Sequence, residues 1–165
     1  MTQELWNILT KTTDWVKYSD AKAVLLLTLH GVVLTIVYTN ANSVYDFSST
    51  NWFTILLTIL ISGTSLTSII YSFLVVNPRL KNTNPTSLIY FGHIQEKFKN
   101  HKDYFQTAKT ILKDKELLDE QLAEQIYTNS KVAWKKFSFI TLSLRYFFVS
   151  ILLFSITLLY YFISK

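Results

Sequence analysis

Twenty-five consecutive residues, Trp52 to Val76, carry no charged side chain. At about 1.5 Å per residue, a helix of that length reaches roughly 37 Å, enough to cross a hydrocarbon core of roughly 30 Å with tilt. Apolar runs also cover about Ala23 to Tyr38 and about Phe137 to Ile163. Half the residues are apolar, and there are only 3 Gly and 2 Pro. Such a composition suits long uninterrupted helices in a membrane better than a sheet protein with many turns. With no cysteine, the chain has neither a disulfide nor a thiolate nucleophile. The fold expected is an all-α membrane protein of three transmembrane helices, with a helical cytoplasmic region between the second and the third.

In chain order, residues 1–22 form an amphipathic cytoplasmic helix, with Leu5, Ile8, Leu9, Thr12 and Val16 on one stripe. Trp6, Trp15 and Tyr18 suit the headgroup level. The first span, 23–38, is short for the bilayer at roughly 24 Å, so Lys22 must snorkel or the helix must extend into Asp20 and Asn40. Residues 39–51 make a short polar external loop, and 52–76 the second span. The middle of that span, Ser62-Gly63-Thr64-Ser65-Leu66-Thr67-Ser68, is crowded with small residues that let helices approach closely or, alternatively, line a pore. Pro78 stops the second span. A turn at Asn82–Pro85 follows, with Thr86 or Ser87 as N-cap of a helical pattern starting near Leu88. Residues 77–136 are polar and lysine-rich, and polar side chains between Lys99 and Asp103 can break their helix. From Asp114 the pattern runs without Gly or Pro into the third span, 137–163.

Charge sets the orientation. Lys11, Lys17 and Lys22 precede the first span, Arg79 and Lys81 follow the second, and Lys131, Lys135 and Lys136 precede the third. The loop 39–51 has no Lys or Arg, so the N-terminus and the central block are expected in the cytoplasm. The formal charge of +5 includes no basic run of the kind that binds nucleic acid, and none is expected as a partner. Inside the spans the ionisable side chains are His30 and Arg145. Lying eight and nine residues in from Lys22 and Lys136, they can meet at one level. No span holds a carboxylate, so Arg145 must use hydroxyls, carbonyls or water, or snorkel.

No catalytic constellation is visible. His93 and His101 are eight apart, unlike the paired histidines of zinc helices, and neither a Gly-rich phosphate loop nor a nucleophile elbow occurs. The reading is therefore a non-enzyme with neither metal nor cofactor. Arg79, His93 after Gly92, and neighbouring lysines can hold an anion, and Tyr90 and Phe91 suit a phosphate carrying a base. Basic residues at the end of a span are also simply topological.

Several elements then fall in a recognisable order. Trp15-Val16-Lys17-Tyr18-Ser19-Asp20-Ala21-Lys22-Ala23 precedes the first span, and Asn77-Pro78-Arg79-Leu80 closes the second. Ser87-Leu88-Ile89-Tyr90-Phe91-Gly92-His93-Ile94 follows, and then a polar helix with Glu124-Gln125-Ile126 and Lys131 to Phe137 enters the last span. Over nearly its whole length the chain resembles the membrane-spanning effector family of the Pycsar anti-phage systems. The resemblance implies a multi-pass protein of the bacterial inner membrane that works beside a partner pyrimidine cyclase. Cyclic CMP or cyclic UMP would be its activating ligand, and impaired inner-membrane integrity with abortive infection the outcome. It points to Asp20, Lys22, Asn77, Arg79, Phe91 and His93 as ligand-binding positions. A homo-oligomer in the bilayer is expected. The rival reading is a membrane adaptor or scaffold whose cytoplasmic helices dock another protein.

Overall fold

The computed structural model describes residues 1–77 and 87–163, with the side chain of Phe91 left aside. The described residues are helical, with no strand among them. In order they form α1 (Thr2–Thr39), α2 (Ala41–Ser48), α3 (Trp52–Val76), α4 (Phe91–Lys97), α5 (His101–Lys113) and α6 (Lys115–Ile163). Of these, α1, α3 and α6 are long and apolar enough to cross a membrane. The protein is an all-α membrane protein with three such helices.

Local chemistry explains the boundaries. Asn51 opens α3 through a capping box. Its Oδ1 accepts from the Thr54 N–H at 3.0 Å, while the Asn51 N–H donates to Thr54 Oγ1. Asn77 closes the helix in an extended conformation, φ −62° and ψ 116°, its N–H donating to the Phe73 carbonyl. That backbone is the one favoured ahead of a proline, although Pro78 itself, like the turn at 82–85 and Thr86, lies outside the described residues. The stretch 39–51, read from sequence as a polar loop, contains the two-turn helix α2. Phe47 of that helix packs on Tyr160 and Tyr161 at ring distances of 6.3 and 5.2 Å.

The helical pattern expected from Leu88 instead begins at Phe91. Residues 88–90 are held in a bend because the Leu88 N–H donates to Gln121 Oε1 and the Ile89 N–H to Ser87 Oγ. Asn100 caps α5 by accepting from the N–H groups of Lys102 and Asp103. Asp114 both ends α5 and caps α6, through 3.0 and 3.3 Å bonds from Glu116 and Leu117.

The described residues form two compact units. The polar unit gathers Met1–Tyr18 with the described part of Pro78–Lys135, and the span unit gathers Ser19–Asn77 with the described part of Lys136–Lys165. In the polar unit Leu9, Thr12, Leu88, Leu122, Gln125 and Ala133 are buried, while Ile8, placed on the same sequence stripe, is exposed. Asn129 donates to Thr13 Oγ1 and accepts from Gln125 Nε2, an amide relay between α6 and α1. In the span unit one set of buried residues follows steps of three and four: Ser19, Ala23, Leu26 and His30 on α1, Ser68, Ser72 and Val75 on α3, and Ile140 and Ser143 on α6, with Thr54, Leu57 and Ser150 buried further along α3 and α6. Such spacing gives each helix one narrow inward seam, as in coiled-coil packing.

Candidate functional site

Serine dominates the inward seam of the span unit. Ser68 Oγ donates to the Ser143 carbonyl at 2.9 Å, and Ser143 Oγ donates to the Ser68 carbonyl at 2.8 Å. With both protons committed, Ser72 becomes the donor in its 2.7 Å bond to Ser143 Oγ. Two turns further along α6, Ser150 meets Ser65 of α3 at 2.6 Å. Apolar burial drives nothing between helices in lipid, so close approach and hydroxyl bonds of this kind must supply the cohesion. The spacing of Ser65, Ser68 and Ser72 is the sequence signal for this ladder. Ser143 and Ser150 give themselves away only by lying seven apart.

His30 faces the same interior. It is 4% exposed, and its ring lies 5.0 Å from that of Phe147, which sits between Ser143 and Ser150 on α6. Its Nδ1 is 2.8 Å from the Leu26 carbonyl; since a carbonyl only accepts, Nδ1 carries the proton. Nε2 is buried with no hydrogen-bond partner. Arg145 does not join it. Two residues from Ser143 is about 200° around a helix, and Arg145 is accordingly exposed on the outer face. The level shared by His30 and Arg145 in sequence therefore brings no contact between them.

The ligand-binding positions inferred from sequence fall in both units. In the span unit, Asp20 pairs with Lys136 of α6, whose side chain is only 15% exposed. Lys22 Nζ lies 5.7 Å from the ring centroid of Phe137, and Asn77 closes α3. In the polar unit, Phe91 and His93 are on α4, while Arg79 lies outside the described residues. His93 is buried with neither ring nitrogen hydrogen-bonded, and its ring meets that of Tyr90 edge-on at 4.9 Å. Gly92 allows this arrangement by its size, since a Cβ there would stand 2.6 Å from Tyr90 Cε1. Lys136 as the mate of Asp20, and Gln121, Gln125 and Asn129 as an amide row, are contributions that sequence reasoning missed. The four-residue spacing of those amides was their available signal.

The family described as Pycsar effector protein domain matches residues 4–163. The chain belongs to this family. That stretch holds every position named above, from Asp20 to Arg145. The chain is also similar to the Pycsar effector protein PtPycTM of Propioniciclava tarda, at 26% identity over 144 residues, covering 82% of this chain and 68% of that protein. No solved structure matches the chain.

Proposed function

We propose that this protein is the membrane-damaging effector of a bacterial anti-phage defence system, switched on by cyclic CMP or cyclic UMP from a partner cyclase. The observation that carries the reading is the match to the Pycsar effector family from residue 4 to residue 163, polar unit and span helices together. Nucleotide would bind in the polar unit, where the buried and unpartnered His93 and the neighbouring Tyr90 offer an imidazole and a stacking face. Arg79 would supply the phosphate contact. Because α6 contributes residues to both units on one uninterrupted helix, a shift at its N-terminal part would be transmitted to the serine ladder. Loosening that ladder, with the chain assembled as an oligomer in the bacterial inner membrane and its N-terminus in the cytoplasm, would breach the barrier.

Purified protein in liposomes that hold a pH gradient and an internal pH-reporting dye tests this, with cyclic CMP, cyclic UMP, cyclic AMP or no nucleotide added separately. Faster loss of the barrier with a cyclic pyrimidine alone supports the reading and names the ligand. Loss regardless of nucleotide replaces it with a constitutive pore. No loss under any condition, with insertion confirmed, turns the assignment to an adaptor. That second reading draws on the exposed apolar side chains Phe105, Leu112, Tyr127 and Trp134 of the polar unit. Co-purification of a stoichiometric partner would carry it.

A further inference from the structure

We propose that the path opened by this protein conducts protons, and that His30 is the group that carries them. The inference rests on the membrane-damage reading and states what crosses. An ionisable side chain inside a span is costly and is retained where it serves a path. Of the two in these spans, Arg145 is exposed on the outer face of α6, and His30 alone is turned inward. Its state is asymmetric. Nδ1–H is tied to the Leu26 carbonyl, whereas Nε2 is an acceptor with nothing to accept from, at a burial where such a lone pair is normally satisfied.

His30 meets the Leu26 carbonyl and the Phe147 ring, neither of which carries a charge. Phe147, against which it packs, lies four residues from Ser143 and three from Ser150, the two rungs of the ladder on α6. The partners of those rungs on α3 are Ser65, Ser68 and Ser72, and that helix has no charged residue. Charged groups of the span unit stand elsewhere, in the Asp20–Lys136 pair, at Lys22 over Phe137, at the exposed Asp46 of α2, and at Arg145 on the outer face. In the closed state the hydroxyls of Ser68, Ser72 and Ser143 are committed to one another's oxygens and Ser65 is bonded to Ser150, so the seam passes nothing. When the helices part and water enters, those hydroxyls exchange their partners for water. A hydronium ion on one side then gives its proton to Nε2, forming the imidazolium. The imidazolium returns that Nε2 proton to water on the other side, which restores the neutral ring. One proton moves and no bond elsewhere changes. A serine-lined seam with one titratable relay suits protons and is too narrow for a dye molecule.

Liposomes holding the full chain, with the pH reporter pyranine or the bulky dye calcein inside and a potassium–valinomycin potential across them, separate the possibilities. With a cyclic pyrimidine added, the expected result is rapid pyranine response with little calcein release. His30→Phe, which keeps the ring against Phe147, should slow proton entry at least tenfold. His30→Asn, which keeps a donor for the Leu26 carbonyl and a polar side chain, should slow it equally, showing that the loss is not one of packing. Unchanged proton entry in both inserted variants overturns the role of His30 and leaves the effector reading standing. Calcein release as fast as the pyranine response overturns proton selectivity in the same way. Silence of both dyes with every nucleotide removes the effector reading and this inference together.

Discussion

At the scale of single residues, Ser143 does the most to join α6 to α3. It exchanges bonds with Ser68 and accepts from Ser72 while fully buried. Ser143→Ala removes two of those bonds, and the expected loss is about 0.6 to 1.7 kcal/mol, the range for hydroxyl bonds between membrane helices. Reversible unfolding in mixed micelles measures it; an unchanged midpoint would mean the ladder is not cohesive. The Asp20–Lys136 pair makes a sharper case, because one partner is largely buried and the other partly exposed. Asp20→Asn strands a buried ammonium and should cost about 1 to 3 kcal/mol, between the values for exposed and buried pairs. The double change Asp20→Asn with Lys136→Met should cost less than Asp20→Asn alone. A larger cost in the double variant would show that Lys136 has another role.

At the scale of elements, caps and tertiary contacts share the work. Asn51 closes a capping box with Thr54 and donates from Nδ2 to the Tyr160 hydroxyl at 3.1 Å. Asn51→Ala should lower stability by about 1 kcal/mol for the cap. A matching loss in Tyr160→Phe would assign the effect to the hydroxyl bond instead. The bounds of α3 were legible because an apolar run starts abruptly after the polar stretch 39–51 and meets a proline after Asn77. By contrast, α2 was not legible. Its eight residues, little more than two turns, are too short a run to establish a helical period within a polar stretch, and its anchor, Phe47 against Tyr160 and Tyr161, comes from more than a hundred residues away. The late start of α4 also involves a distant residue, since Gln121 holds the Leu88 N–H in the bend that precedes the helix.

At the scale of the whole molecule, activation predicts linkage. A ligand that binds only the folded state at about 100 times its dissociation constant stabilises it by about 2.7 kcal/mol. Cyclic CMP or cyclic UMP should therefore raise the melting temperature of the purified protein by several degrees, and cyclic AMP should not. Equal responses to all three, or none, would detach the nucleotide from this chain. In sequence, His93, Arg79 and Phe91 stood out by residue type and motif order. That His93 is sealed in with no hydrogen bond, while Asp20 spends its charge on Lys136, is a matter of three-dimensional packing.

By itself the sequence determined what depends on composition along one stretch of chain: three apolar helices, the bounds of α3, and the family to which the chain belongs. Only the tertiary structure decided which side of each helix turns inward. An apolar span in lipid has no amphipathic face to betray its inward side, so the seam is marked only by hydroxyls spaced three and four apart. That is why His30 and Arg145, neighbours in depth on paper, part company in space, one sealed against Phe147 and the other facing out.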